Sequence, residues 1–213
     1  MMNMEKGIYN IYKPKGPTSY DIIRRMKGMT SEKRIGHGGT LDPLASGVLI
    51  VAIGREFTRD LDKVVKGEKE YIATVKLGQT STTQDEEGEK TDYKFEKFPE
   101  IDQVKDTLDK FIGEITQIPP IYSALKIKGQ PAYKLARAGK DVEIKSRTIQ
   151  IREIEVLDYK WPILKIRVVC SSGTYIRTLA NDIGMSLQTG GYLADLIRSR
   201  IADYKIEDSI KLD

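Results

Sequence analysis

Residues 36–47 most constrain the fold of this chain, because they combine four glycines with no helical or strand periodicity. The segment, GHGGTLDPLASG, runs directly into six consecutive apolar residues, VLIVAI, at positions 48–53. Such an apolar run predicts a buried strand. The chain is therefore expected to place a glycine-rich loop at the edge of a buried strand, where a rigid scaffold commonly positions catalytic or binding residues.

The other predicted elements are strands and helices that do not alternate regularly. Residues 69–77 alternate, with one apolar face formed by Tyr71, Ala73, Val75 and Leu77, as in a strand with one side buried. Further strands are predicted at 7–12, 148–159 and 163–171, and helices after Thr18 and at 57–65, 101–112 and 174–187. This order favours an α+β fold over a doubly wound parallel sheet.

Two stretches fit neither class of element. Residues 80–91 are acidic with few apolar side chains, which predicts an exposed or mobile loop. Residues 118–147 begin with a Pro-Pro breaker and hold basic residues between tyrosines, so they are predicted to project from the body of the protein. Because the chain has no internal repeat, low-complexity tract or obvious linker, a single domain over residues 1–213 is predicted.

Composition and missing motifs exclude several classes of protein. The 213 residues are 39% hydrophobic and 31% charged, as in an ordinary globular protein. No membrane-spanning run or signal peptide occurs, so a cytoplasmic location is expected. One cysteine and one histidine, His37, cannot build a disulfide or a usual Cys/His zinc site. Phosphate-loop, H-E-x-x-H and G-x-S-x-G motifs are absent, which argues against nucleotide and serine hydrolysis.

Charge is distributed unevenly although the net charge is only +4. Residues 5–37 hold eight basic and three acidic side chains, and residues 118–147 hold seven and two, so each stretch carries +5. Residues 80–110 reverse the sign, with five basic and ten acidic side chains. The two basic segments are typical of a surface that binds nucleic acid, and equally of solvated helices and loops.

Asp42 is the one acidic residue of the glycine-rich loop. Taken alone, the Asp42-Pro43 pair fits a turn as well as a catalytic site. Residues 36–49, GHGGTLDPLASGVL, closely resemble the signature G-H-x-G-x-L-D-P-x-A-[ST]-G-x-L of the TruB family of tRNA pseudouridine synthases. A fit over fourteen positions is far more specific than a lone glycine pattern.

Five further blocks resemble motifs of this family, in the family's order, and together they cover nearly the whole chain. They are KPKGPTS at 13–19, KEY at 69–71, IPPIYSALK at 118–126, GTYIR at 173–177 and GYL at 191–193. The resemblance implies the pseudouridine synthase fold, with a mixed, mostly antiparallel central sheet flanked by helices and loops. It also implies that residues 118–147 are a thumb insertion that grips RNA.

The resemblance implies an isomerase that converts uridine to pseudouridine in the T arm of tRNA, at position 55 in tRNA nomenclature. The uridine is flipped out, its glycosidic bond is broken, and the base is rejoined to the ribose through carbon. Because this reaction involves no redox change and no net hydrolysis, no cofactor and no metal are implied. The family assigns the essential carboxylate to Asp42, either as a nucleophile or as a base that starts an elimination.

Other residues receive roles from the resemblance alone. Arg177 is implied to pair with Asp42 and keep it anionic, and Tyr71 to stack on the uracil and relay a ribose proton. Without the motifs, Arg177 would fit a surface arginine and Tyr71 a buried strand residue. The residues expected to bind RNA are His37, which would hold the RNA open, Tyr71, Tyr175, Leu193, Lys13, Lys126 and Lys128.

The expected partner is the T arm of tRNA, with no membrane, guide RNA or obligate protein partner, and the chain is expected to be a monomer. Two features depart from the family. The chain stops at Asp213 without the RNA-binding PUA domain of most bacterial relatives, and residues 198–204, RSRIADY, lack the glycine of R-T-x-x-G-x-F. Two other functions remain open: a tRNA-binding folding chaperone without catalytic activity, and an unrelated hydrolase, which would need a second catalytic acid.

Overall fold

A computed structural model describes residues 4–123, 125–127, 129–131 and 144–212. Its helices are α1 (Ser19–Lys27), α2 (Arg55–Val65), α3 (Ile101–Asp109) and α4 (Ile176–Ser186), followed by a short 3-10 helix (Ile206–Asp208). Its strands are β1 (Gly7–Lys13), β2 (Ile35–Gly38), β3 (Ala45–Ile53), β4 (Lys69–Leu77), β5 (Gln79–Ser81), β6 (Lys90–Asp92), β7 (Gly113–Gln117), β8 (Lys126–Ile127), β9 (Gln130–Pro131), β10 (Arg147–Lys160), β11 (Ile163–Cys170), β12 (Gly191–Ile201) and β13 (Tyr204–Lys205).

Within these described ranges, nine strands form one sheet with the order β1-β3-β12-β4-β11-β10-β7, to which β2 and β13 add at β3 and β12. The pairs β1–β3, β7–β10 and β10–β11 are antiparallel, whereas β12 runs parallel to β3. The predicted α+β fold with a mixed, mostly antiparallel sheet is confirmed. Two short hairpins, β5–β6 and β8–β9, lie outside this sheet.

The first of two compact units consists of Met1–Ile72 and Leu196–Asp213. Its centre is β3, where the apolar run is buried on both faces. Leu49, Val51 and Ile53 pack with the apolar side of α1, and Val48, Ile50 and Ala52 pack with Leu61 and Val65 of α2. Because helices cover both faces, this strand shows no alternation in sequence.

Helix α1 begins where its sequence predicts. Thr18 and Asp21 form a reciprocal capping box, in which each side chain bonds the backbone amide of the other. The buried residues Ile22, Ile23 and Met26 then hold the helix against β3. The cap and the buried face together fix the direction and position of α1 relative to the glycine-rich loop.

The second unit consists of Ala73–Asp195. It contains the β10–β11 hairpin, and α3, which packs against β10 and α4. Helix α4 buries Ile176, Leu179 and Ile183 along one side, as its spacing predicts. The prediction of a single domain over residues 1–213 stays a prediction, as does the thumb at 118–147, part of which lies outside the described residues.

Two sequence predictions were wrong in detail. The glycine-rich segment is not wholly a loop, because strand pairing extends β2 to Gly38 and starts β3 at Ala45, leaving residues 39–44 as the connection. Residues 80–91 are not simply exposed: they contribute to the β5–β6 hairpin and bury Asp85. The acidic composition of the segment did not indicate this burial. A charged residue can be buried when other groups form hydrogen bonds or ion pairs with it, as Asp85 does. No described helix is long and apolar enough to span a membrane.

Candidate active site

The connection between β2 and β3 presents Asp42 on a backbone that is fixed on both sides. Ser19, the buried first residue of α1, donates its hydroxyl to the Leu41 carbonyl and accepts from the Leu41 amide, both at 2.9 Å. On the other side, the Gly16 amide donates to the Pro43 carbonyl at 2.8 Å. The half-buried Asp42 thus lies between two anchored peptide groups, which limits the positions its carboxylate can take.

Lys13, the last residue of β1, is a buried cation beside this loop. Its side chain has no solvent exposure, and its Nζ donates to the carbonyls of Ala45 at 2.6 Å and Pro14 at 3.0 Å. Burial lowers the pKa of Lys13 to about 8, while attraction by the Asp42 carboxylate opposes this shift. The lysine is therefore mostly charged at neutral pH and holds the backbone that follows Asp42.

A second buried cation, Arg198 of β12, connects the start of the same loop to strand β3. Its Nη2 donates to the Gly39 carbonyl and its Nε to the Val48 carbonyl, each at 2.8 Å. Burial lowers the pKa of Arg198, and interactions with Tyr71 and Asp42 act in the opposite direction. An arginine keeps its proton in proteins, so this site holds a permanent positive charge close to Asp42.

Gly47 allows β12 to bring Arg198 this close. In the parallel register of β12 and β3, Arg198 lies opposite Gly47. Gly47 has a φ of +110°, and a Cβ there would lie 2.2 Å from the Arg198 carbonyl oxygen. Only glycine permits both the backbone angle and the close approach. This glycine of the sequence motif therefore has a structural role at the start of β3.

Tyr71 and His37 complete the polar surroundings of the loop. Tyr71 lies on the buried face of β4, as its alternation predicts, and its side chain is hydrogen-bonded to Arg198. His37 lies in β2, and burial, with a smaller contribution from Arg198, lowers its pKa, so that its ring is neutral at pH 7. Its buried Nδ1 has no hydrogen-bond partner among the described residues. A buried polar atom of this kind is unusual in a folded protein.

The first unit thus places two buried cations, Lys13 and Arg198, within electrostatic range of the Asp42 carboxylate, and the Tyr71 hydroxyl is bonded to one of them. The cations stabilise the negative charge of Asp42, and the phenol is fixed by the guanidinium of Arg198. Such an arrangement suits a carboxylate that must stay ionised to act as a nucleophile or a base. In the described part of the chain, no group of three or more His, Cys, Asp or Glu side chains is arranged to hold a metal ion.

Arg177 lies in the second unit, where it contacts several residues. This buried arginine of α4 forms an ion pair with Asp85, with 3.2 Å between Nη1 and Oδ2. It also donates to the carbonyls of Tyr122 at 2.8 Å and Thr83 at 3.4 Å. Asp85 is itself held by the Thr83 hydroxyl and by the Glu87 amide. Arg177 therefore joins the acidic hairpin to the beginning of the segment predicted to be the thumb.

Tyr175 and Leu193 are each held by hydrogen bonds of their backbone in the second unit. Tyr175 precedes α4, and the amide side chain of Gln117 donates to its carbonyl at 3.0 Å and accepts from its amide at 2.8 Å. Its ring faces the guanidinium of Arg147, 5.2 Å from the ring centroid. Leu193 of β12 is fully buried, and its amide donates to the Gln84 carbonyl at 3.0 Å.

The chain is similar to a family of known proteins. The model of the TruB family pseudouridylate synthases, N-terminal domain, matches residues 27–176, which include Asp42, Tyr71 and Asp85. The match covers well over half of the chain. The chain belongs to the TruB family of pseudouridylate synthases.

Relatives in this family extend the similarity to almost the entire chain. The chain is 43% identical over 207 residues to the tRNA pseudouridine synthase B of Clostridium kluyveri, covering 97% of this chain and 71% of the relative. It is 46% identical over 209 residues to that of Francisella philomiragia, covering 97% of this chain and 68% of the relative. The family predicted from the sequence motifs is confirmed.

The fold also matches solved structures. A chain in the crystal structure of a Cbf5-Nop10-Gar1 complex superposes with a TM-score of 0.76 at 32% sequence identity. The match covers 99% of this TruB family chain and 53% of the solved one, so the chain spans about half the length of that protein. The pseudouridine synthase fold predicted from the sequence is confirmed.

The residues that the sequence singles out are divided between the two units. Asp42, Tyr71, His37 and Lys13 lie in the first unit, and Arg177, Tyr175 and Leu193 in the second. Lys13 is buried against backbone carbonyls rather than exposed. Lys128 lies outside the described residues, and Lys126 is described only as the start of β8. The predicted pairing of Arg177 with Asp42 stays a prediction.

Sequence reasoning missed three residues of these networks. No role was assigned to Ser19 or Asp85. Arg198 was named only as part of residues 198–204, whose departure from the family pattern is the missing glycine. The signal for Ser19 was its place in the KPKGPTS motif immediately after the helix cap. For Arg198, it was its place in a strand that carries the buried residues Tyr192, Leu193 and Leu196. Of the two arginines in this strand, Arg198 is buried and Arg200 is not.

Proposed function

We propose that this chain converts the uridine at position 55 in the T arm of tRNA to pseudouridine, with Asp42 as the essential carboxylate. As a TruB family member the chain is a pseudouridine synthase, an enzyme of the isomerase class, and the relatives named tRNA pseudouridine synthase B support tRNA as its substrate. The position in tRNA and the roles of individual residues are parts of the proposal.

The observation that carries the proposal is the presence of two buried cations, Lys13 and Arg198, within electrostatic range of Asp42. Burying the charges of Lys13 and Arg198 costs free energy, which is offset when they satisfy backbone carbonyls and face an anion. Both cations bond the backbone that flanks Asp42, and the electrostatic field of Asp42 acts on both. A loop needed only for a turn would not require two buried charges.

The chemistry demands an anion at this position. The bond between uracil N1 and ribose C1′ breaks, the base turns over, and C5 bonds to C1′, with the C5 proton lost and N1 protonated at the end. The Asp42 carboxylate attacks the nucleoside as a nucleophile or removes a proton to start elimination, and both routes use its ionised form. Lys13 and Arg198 preserve that form and hold its orientation.

Tyr71 is assigned to the target base. Its hydroxyl is held by Arg198, so its ring is presented in one orientation rather than free to rotate. An aromatic face suits stacking on an extruded uracil, and a fixed hydroxyl suits proton relay to the ribose. By the same resemblance, Tyr175 and Leu193 contact the displaced nucleotide, His37 holds the RNA open, and Arg177 pairs with Asp42.

Reaching the uridine requires its removal from the stacked loop, at a cost of a few kcal/mol. Lys126 and Lys128 in the thumb are assigned to phosphate contacts that offset part of this cost. Such contacts position the RNA, and recognition rests mainly on the shape of the T arm and its unstacked bases.

The test is product formation at a defined nucleotide. The purified chain is incubated with an unmodified tRNA transcript, and pseudouridine is mapped by carbodiimide treatment and reverse transcription. We expect one new stop at position 55, and none in a matched transcript that carries cytidine there. A chain that binds the transcript but leaves it unmodified would instead be an RNA-binding protein without catalysis, such as a folding chaperone.

A further inference from the structure

The outward side of α1 carries an aromatic and basic surface that the active-site network does not use. Tyr20, Arg24 and Lys27 are spaced by four and three residues and so form one stripe along the helix. Tyr20 is 59% exposed, and Arg25, next in sequence to Arg24, is exposed as well. The opposite side of the same helix is packed into the core.

The charges on this surface are only partly neutralised. Arg24 forms an ion pair with Asp21, one turn earlier. Arg25 and Lys27 have no carboxylate partner within the described residues, and the Nζ of Lys27 lies 5.9 Å from the centroid of the Tyr20 ring. Lys27 next to the exposed ring, together with Arg25 on the same helix, matches a polyanion that also offers flat bases.

Helix α2 in the same unit provides a contrast. Its exposed cations Arg59 and Lys63 both lie near Asp60, at 3.7 Å and 2.8 Å. The pKa of Lys63 is raised by its hydrogen bond to Asp60, as in an ordinary solvated ion pair. The exposed charges of α2 are thus balanced locally, whereas those at the end of α1 are not.

The α1 surface is fixed to the loop that carries Asp42. Ser19 anchors that loop through Leu41, and Tyr20 is the next residue of the helix. At a rise of 1.5 Å per residue, the stripe extends about 12 Å from this anchor to Lys27. RNA bound at Asp42 therefore needs to extend only a short distance along the protein to reach it.

We propose that Tyr20, Arg25 and Lys27 bind the substrate tRNA outside the target nucleotide. The cations contact phosphates, and the ring packs against an unpaired base or a ribose. The inference rests on the proposed function, because it takes tRNA as the substrate. The alternative role of these cations is to stabilise the C-terminal end of the α1 dipole, which predicts an effect on stability and none on RNA binding.

The experiment compares two double variants of equal charge. Arg25→Gln/Lys27→Gln removes the α1 cations, and Arg59→Gln/Lys63→Gln removes two cations from α2. Affinity for an unmodified full-length tRNA transcript is measured by fluorescence anisotropy between 50 and 200 mM salt, alongside KM, kcat and urea unfolding. Tyr20→Ala and Tyr20→Phe test the ring, since phenylalanine keeps the stacking face.

Each phosphate contact contributes roughly 0.7–0.9 to the slope of log affinity against log salt. The α1 double variant should therefore have a slope lower by about 1.4–1.8, with the loss expressed in KM rather than kcat. The α2 variant should keep the slope of the original chain. Tyr20→Ala should weaken binding by at least fivefold, and Tyr20→Phe should restore it.

The inference would be overturned if the two double variants had equal slopes of log affinity against log salt. It would also be overturned if the α1 double variant lost only stability against urea. Either result would leave the proposed function intact. If the original chain binds the transcript with the expected slope but forms no pseudouridine, the proposed function fails and the RNA-binding surface stands.

Discussion

Replacing Ser19 with alanine removes the anchor of the loop that carries Asp42 while leaving every charged residue in place. The Ser19 hydroxyl makes two hydrogen bonds of 2.9 Å, one to each backbone polar group of Leu41. Leaving a buried polar group unsatisfied costs about 1–3 kcal/mol. For two such groups, with some relief from water, we expect Ser19→Ala to lower the free energy of unfolding by about 2–4 kcal/mol.

The effect on catalysis should exceed what this loss of stability explains. The Leu41 peptide precedes Asp42 directly, so its release allows the carboxylate to shift, and a displacement of 1 Å can cost about a hundredfold in rate. We expect the single-turnover rate of pseudouridine formation by Ser19→Ala to fall by about that factor at a temperature where the variant is folded. Affinity for tRNA should stay within a few-fold.

Thr18→Ala is the matched control. Thr18 caps the same helix, and removing the cap costs about 1 kcal/mol, but Thr18 makes no hydrogen bond to Leu41. The free energy of unfolding should therefore fall in both variants, whereas the rate of pseudouridine formation should fall only in Ser19→Ala. A Ser19→Ala enzyme that unfolds more easily yet keeps the original rate would refute the argument that this anchor positions Asp42.

Three more predictions address the cations. The pKa of Lys13 is about 8 in the folded state and 10.5 in the unfolded state, so deprotonation removes the free-energy cost of burying its charge. The free energy of unfolding should therefore rise between pH 8 and 10.5, while kcat/KM falls above pH 8 as the cation near Asp42 is lost. Lys13→Met should flatten both pH profiles. Arg198→Lys should lower kcat at least tenfold, because one ammonium cannot reach Gly39, Val48 and Tyr71 together, and an unchanged kcat would contradict this role. Lys126→Gln/Lys128→Gln should reduce the slope of log tRNA affinity against log salt. An unchanged slope would show that these two lysines do not contact phosphates.

Local patterns predicted most of the fold, because the forces that set it act between near neighbours. The unbroken apolar run of β3, the alternation of β4 and the capping pair of Thr18 and Asp21 each determine an element without reference to distant residues. The boundaries of the glycine-rich loop were less accurate, because pairing between β2 and β3 decides where the strands end.

The electrostatic partners of the site could not be predicted in the same way. Arg198 is 156 positions from Asp42, and only the parallel pairing of β12 with β3 places it beside the loop. Asp85 was hidden in an acidic stretch, since its partner Arg177 lies 92 residues further along the chain. The motifs identified Asp42 and Tyr71, whereas the groups that support them depend on the folded sheet.

The central claim, that the Asp42 carboxylate performs the reaction, is tested most directly by Asp42→Asn. The variant keeps the size and shape of the side chain but removes its charge. Single-turnover formation of pseudouridine and tRNA affinity are measured on the same preparation, with urea unfolding as the check on the fold. We predict that product formation is abolished while affinity stays within a few-fold of the original chain. Pseudouridine formed by the folded variant at the original rate would contradict the assignment.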